Sequence, residues 1–296
     1  MFCEVKVSLV IIGGWYQGCR VLDNVQQWND MVEAEHAQTF RLRDSVPSSL
    51  DHWRGSSGRF RLDPYRSGDA TVDLLFRKIG AHETLLDVGA GAGRLSLPLS
   101  LKCKEVTAVE PSPSMASALR EDAALHKISN VNLVQAEWEN VWLDQKDVVL
   151  CAHVLYTVRD IEPFIRKLEA HARGQVWVIL FREPPQQRVY ALWERVHQEK
   201  RLSLPCLPQF EKVLEELAVK VNYYHICSQE TMGFQSFEEA QNQLRRRLFL
   251  TEGSPKDRLL AQLLGDELHE IEEHLQLRGS RPLEPVLASW KPGSAL

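Results

Sequence analysis

No two cysteines in this chain are spaced C-x-x-C. The six, Cys3, Cys19, Cys103, Cys151, Cys206 and Cys227, are scattered, and no histidines cluster at metal-ligand spacing. That pattern excludes a disulfide scaffold, leaves no zinc or other metal site to expect, and reads as a reducing, cytoplasmic compartment. Long apolar runs are missing too. Near the N-terminus Leu9-Val10-Ile11-Ile12 is closed by Gly13-Gly14, far short of the ~20 residues that span a bilayer. Tyr16-Gln17-Gly18-Cys19 imitates a lipoprotein cleavage box poorly, because Tyr stands where an aliphatic residue belongs. No membrane is therefore expected. Basic residues are not in excess: 35 Lys and Arg face 40 Asp and Glu, a net charge of −5, which argues against a chain that lives on nucleic acid. Internal repeats and low-complexity tracts are also absent.

What is present is enough apolar surface for a sizeable core. With 296 residues, 44% of them hydrophobic, the chain suits one large domain, or a domain with an added lid, since single cores stop growing near ~250–300 residues. Residues 1–21 show no period and read as an extension. Leu22, Val25, Trp28 and Val32 recur at helical spacing in an otherwise polar stretch to Phe40, which predicts a surface helix. Residues 44–70 are rich in turn formers and read as a lid packing Trp53, Phe60 and Tyr65 onto the main domain.

From Val72 the pattern alternates. Val72, Leu75, Phe76 and Ile79 predict a helix ending at Gly80, and strand-length apolar runs follow at Thr84 to Val88, Glu105 to Val109, Val131 to Val134, Val148 to Cys151 and Val176 to Phe181. Helical stretches lie between them, as at Ile161, Phe164, Ile165 and Leu168. Such alternation predicts a doubly wound α/β sheet, mostly parallel, with ligands bound beyond the C-terminal ends of its strands. Further on, Val219 to Cys227 and Pro285 to Trp290 read as strands, and Ser254-Pro255 opens a helix predicted to run through Leu260, Leu264, Leu268, Ile271 and Leu275. Arg245-Arg246-Arg247 reads as a solvated helix face.

The segment richest in chemistry is Leu85-Leu86-Asp87-Val88-Gly89-Ala90-Gly91-Ala92-Gly93-Arg94, an apolar strand entering a glycine-rich turn and then a helix. Glycines let a ligand approach the backbone, and a helix start offers free N–H donors. A dinucleotide fingerprint beginning at Gly89 would need glycine where Arg94 stands, which weakens the reading as an NAD(P)-dependent oxidoreductase.

Here the chain resembles the class I S-adenosylmethionine-dependent methyltransferases, whose first motif runs acidic-x-G-x-G-x-G after the first strand: Asp87, Gly89, Gly91 and Gly93 match it. The resemblance implies a Rossmann-like sheet of seven strands with a helical lid and insertions, and S-adenosylmethionine as cofactor. It implies that the cofactor is held by Asp87 and the turn Gly89, Ala90, Gly91 and Gly93. In Val109-Glu110-Pro111, 21 residues after Gly89, Glu110 would take both ribose hydroxyls, with Pro111 beside it and Met115 packing on the adenine. Glu137 would accept from the adenine amino group, next to Trp138. Cys151-Ala152-His153-Val154-Leu155-Tyr156 resembles the segment lining the methyl end, so Ala152 would touch the cofactor, and His153 and Tyr156 are the candidate catalytic residues, His153 as a general base. The expected organisation is an extension and lid over 1–70, a cofactor core over 71–183, and helical insertions with the last strands over 184–296. A small-molecule methyl acceptor is the expected partner, and no protein partner is indicated. The competing readings are a non-catalytic binding or assembly factor of the same fold and the oxidoreductase.

Overall fold

The computed structural model describes residues 23–44, 51, 53, 57–227, 233–271 and 274–293. The expected extension over 1–21, Leu22 of the first stripe, and part of the turn-rich segment, 45–50, lie outside the described residues. α1 (Asn24–Leu42) starts at Asp23, whose carboxylate accepts the Gln26 N–H, and α2 (Ala70–Lys78) starts at Asp69, which accepts from Thr71 and Val72 N–H. These are ordinary N-caps that pair otherwise orphaned donors. Then come β1 (Thr84–Val88), α3 (Ser96–Ser100), β2 (Glu105–Val109), α4 (Pro113–Leu125), β3 (Val131–Val134), β4 (Lys146–Ala152), α5 (Ile161–His171) and β5 (Ala172–Phe181). α6 (Tyr190–His197) and α7 (Leu207–Glu216) lead to β6 (Asn222–His225). Next are β7 (Gly233–Phe234), α8 (Phe237–Arg247), α9 (Pro255–Glu267), β8 (Leu268–Ile271) and β9 (His274–Leu277), and β10 (Pro285–Trp290) returns to the main sheet.

That sheet has seven strands in the order β3-β2-β1-β4-β5-β10-β6, parallel except that β10 runs antiparallel to both neighbours. Successive side chains of a strand point to opposite faces. Leu85 thus packs with Leu75 of α2 and Leu99 of α3. Leu86, the next residue, packs with Phe164 of α5 and Phe210 of α7 on the other face. The order reverses between β1 and β4, and the crevice beyond the strand ends opens there.

Three expectations need correction. The first helix lies on the surface, as its stripe predicts, but it is packed too firmly for a lid: Trp28 and Val32 are fully buried, and Trp28 meets Phe210 edge-on at 6.0 Å. Only four apolar positions marked that face, but one is a tryptophan, whose area outweighs the polar residues between. Second, the helix from Ser254 stops at Glu267, and Leu268–Ile271 and His274–Leu277 pair as the antiparallel strands β8 and β9, the latter pairing with β7. Asp266 and Glu267 put negative charge at the helix C-terminus, where the backbone dipole is already negative, and strand pairing overrides the helical spacing of the leucines. Third, the aromatics after α1 are not packed away: Trp53 and Phe60 meet edge-on at 5.2 Å but keep over a third of their surface, and Tyr65 is 60% exposed. Charge holds that segment instead. Arg61 reaches Asp122 at 2.5 Å and Glu121 at 2.8 Å on α4, and Arg66 bonds Asp69 and the Arg94 carbonyl.

The insertion has a core of its own, formed by Trp193, Phe234, Leu244, Leu260, Leu264 and Leu277. α1 ties it to the sheet. Glu35 pairs with Arg201 in the interior, Gln38 takes the Leu202 N–H at 2.8 Å, and Lys256 reaches the Leu42 carbonyl at 2.9 Å.

Candidate active site

β1 and β2 deliver the site. After Val88 the chain turns through Gly89 (φ +76°), Gly91 (φ +58°) and Gly93 (φ +86°), and the Gly89 and Ala90 N–H groups both donate to the Val109 carbonyl, at 2.9 and 3.0 Å. Positive φ suits glycine because no Cβ meets the carbonyl. At Gly89 there is a second reason: a Cβ would come within 2.3 Å of Val154 Cγ2. At Gly91 the surroundings are the opposite, since a Cβ would find nothing within 4 Å. Gly91 therefore borders open space.

Glu110, 5% exposed, stands beside that space at the end of β2. Its carboxylate accepts the Gly91 N–H at 2.7 Å and the Ser112 N–H at 2.8 Å, one on each oxygen. Burial raises its pKa, the two N–H donors oppose this, and Asp51 raises it further. Asp51 was invisible to sequence reasoning. It comes from the segment after α1 to accept from Ser112 Oγ at 2.7 Å and the Ser114 N–H at 2.9 Å, at the start of α4. Those bonds outweigh its desolvation and hold its pKa down at about 2.

Asp87 turns away from the open space. It is 2% exposed and accepts from Ser96 Oγ at 2.5 Å, which ties β1 to α3. Burial lifts its pKa to about 7, against the Ser96 bond and with a smaller contribution from the Glu110 charge. A carboxyl raised in the folded state stabilises the fold fully below its unfolded pKa, near 3.8, and that contribution is lost as pH rises through about 7. Asp44, Asp69, Asp147 and Asp257 are lowered, so their contributions are lost at more acid pH. Melting temperatures from pH 4 to 8 are therefore expected to show Asp87→Asn gaining on the parent as pH rises. Parallel curves would contradict the raised pKa.

Met115 is buried against Ala92 and Ala118 beneath the turn, Ala90 packs on Ala108 and Leu119, and Pro111 is exposed. Glu137 is exposed and accepts from Asn140 Nδ2 at 2.8 Å. The Trp138 ring is buried, edge-on to His171 at 4.8 Å and under Lys167. Ala152 is half-buried at the end of β4.

His153 follows with φ +59°. Its ring stacks on Phe181 at 4.2 Å, and its Nδ1 lies 3.1 Å from Tyr156 Oη, which also accepts the Phe181 N–H at 2.7 Å. Burial, with Arg94 adding to it, pulls the His153 pKa down to about 3, and burial pushes Tyr156 up. A general base works best with a pKa near the working pH, so this shift counts against that role for His153, which forms one stacked wall with Tyr156 and Phe181. Among the described residues no group of His, Cys, Asp or Glu is placed to hold a metal, and no helix is long and apolar enough to cross a membrane.

Residues 86–180 match a sequence family described as a methyltransferase domain. The ubiquinone biosynthesis O-methyltransferase of Rickettsia akari is 28% identical over 151 residues, 48% of this chain and 59% of that protein. A probable ribosomal RNA small subunit methyltransferase A from Methanosphaera stadtmanae is 35% identical over 82 residues, 25% of this chain and 30% of the relative. The chain thus spans less than two thirds of either curated relative. In fold it is similar to the crystal structure of the YcgJ protein from Bacillus subtilis, with a TM-score of 0.53 at 14% identity, covering 76% of this chain and 99% of that one.

Proposed function

We propose that this chain, whose residues 86–180 match a methyltransferase domain, is a class I S-adenosylmethionine-dependent methyltransferase that binds S-adenosylmethionine at the glycine turn and methylates a small molecule. The observation that carries the reading is the juxtaposition of Gly91, open above its Cα, with the buried carboxylate of Glu110. Each carboxylate oxygen has two lone pairs and spends one on a backbone N–H, so Glu110 retains acceptors for two neighbouring hydroxyls. The fit with a ribose is chemical as well as spatial. When bound, S-adenosylmethionine supplies a methyl group made electrophilic by the sulfonium.

The chain's own part is then to position and to exclude water. The turn Gly89 to Gly93 admits the cofactor against the backbone, with Ala90, Ala92 and Met115 as a packed floor. Asp87 fixes the turn through Ser96, Pro111 and Glu137 border the adenosine side, and Ala152, His153 and Tyr156 wall the methyl end. Because burial holds the His153 pKa low, that wall orients an acceptor and does not deprotonate it. The acceptor therefore brings its own available lone pair. Similarity to a ubiquinone biosynthesis O-methyltransferase supports a small-molecule acceptor, and the scattered cysteines support a cytoplasmic setting.

Isothermal titration of the purified chain with S-adenosylmethionine and its demethylated product, S-adenosylhomocysteine, is the test. One site per chain is expected for both. Failure to bind either would sink the assignment, and stabilisation by NAD alone would turn it toward the oxidoreductase.

A further inference from the structure

The triplet that closes α8 does not behave as one solvated face. Arg245 turns inward and bonds Asp257 at 2.8 Å and Asn242 at 2.6 Å. Arg246 instead shares a cavity of about 390 Å³ with Arg59, together with the donors of Ser236, Asn242 and Gln243. Two carboxylates, Glu238 and Glu239, also line it. Glu239 is engaged locally, accepting from the Gln235 N–H and from Gln243 Nε2, both at 2.7 Å, and it approaches Arg59 only to 3.9 Å. It does not neutralise that guanidinium by a hydrogen bond.

More positive charge lies behind. Desolvation by the surrounding protein lowers the pKa of Arg59, with Arg246 adding repulsion, and lowers that of Arg247, with Arg59 and Arg188 adding theirs. Arg59 and Arg246 thus share one cavity whose carboxylates, Glu238 and Glu239, include none within hydrogen-bond distance of Arg59. Bringing two like charges together is unfavourable, and an anion entering between them relieves it. Planar guanidinium forks match the oxygens of a carboxylate or phosphate, two at a time.

The junction lies on the ligand side of the sheet. Arg59 belongs to the turn Ser57–Phe60, which Arg61 clamps to α4, the helix entered just after Glu110. Arg188 sits in the turn Gln187–Val189, shortly beyond the C-terminal end of β5. From this placement we propose that Arg59 and Arg246 bind an anionic group, carboxylate or phosphate, carried by the small-molecule methyl acceptor. The assignment to the acceptor rests on the methyltransferase reading, whereas the anion site itself does not.

Calorimetric titration of inorganic phosphate and of succinate into the full chain tests it, with S-adenosylhomocysteine titrated in parallel. At least one anion should bind the parent, and which of the two binds more tightly distinguishes phosphate from carboxylate recognition. Arg59→Gln with Arg246→Gln is expected to weaken binding by about ten-fold or more, as loss of charge-assisted hydrogen bonds does. Glu238→Gln, at an exposed position, should strengthen it a few-fold, and neither change should alter the affinity for S-adenosylhomocysteine. Equal affinity in parent and arginine variant, or no binding of either anion to the parent, overturns the site. An anion displaced by saturating S-adenosylhomocysteine overturns its assignment to the acceptor. If S-adenosylhomocysteine does not bind at all, the methyltransferase reading falls and the arginine comparison still decides the anion site.

Discussion

Gly91→Val is expected to abolish binding of S-adenosylhomocysteine, with an affinity loss of a hundred-fold or more, while the protein stays folded. Position 91 borders open space, so the new side chain meets no protein atom near its Cβ. On the proposed reading it stands where the cofactor lies against the backbone. Its φ of +58° costs a branched residue about 1–3 kcal/mol, a modest drop in melting temperature for a chain of this size. The Gly91 N–H remains for Glu110, so the loss belongs to occlusion and not to a broken bond. Gly89→Ala is the useful contrast, because its Cβ would press on Val154 and strain the fold as well. The informative quantities are the calorimetric affinity and the melting temperature of each variant. If Gly91→Val bound S-adenosylhomocysteine as tightly as the parent, the turn would not be the cofactor site.

The strands were legible where apolar runs were continuous and bounded by turns. Thr84–Val88, Glu105–Val109, Val131–Val134 and Pro285–Trp290 fall where the sequence predicts them. β5 begins earlier than its apolar run, at Ala172, because Ala172 and Gln175 pair with Lys146 and Val148 of β4 across a local irregularity. What the sequence conceals is contact between distant segments. Asp51 over Ser112, Glu35 with Arg201, and the proximity of Arg59 to α8 each join residues far apart in the chain, and no period or motif marks them. His153 shows a different limit. The residue type suggests a base, but its hydration and its contacts are set by Tyr156 and Phe181, which only the fold brings to it.

Trp28→Ala is expected to destabilise the whole chain by about 3–5 kcal/mol, as complete truncation of a buried aromatic does. For a protein of this length that lowers the melting temperature by roughly 6–15 °C. A lid helix would detach at little cost. α1 differs because Trp28 begins an aromatic row with Phe210 of α7 and Trp290 of β10, at centroid separations of 6.0 and 6.4 Å, and its indole N–H donates to the Val158 carbonyl at 2.9 Å. Truncation leaves a cavity between two helices and a central strand, and leaves that carbonyl without its partner. The same helix carries Glu35 and Gln38 to the loop after α6, so loosening it should also loosen the insertion that bears the arginine cluster. Phe40→Ala, on the same helix but 68% exposed, should change stability by less than about 0.5 kcal/mol. Thermal unfolding of the two variants side by side separates the cases: similar small shifts would mean that α1 is a detachable cover, and a large loss confined to Trp28→Ala means that the sheet cannot be completed without it.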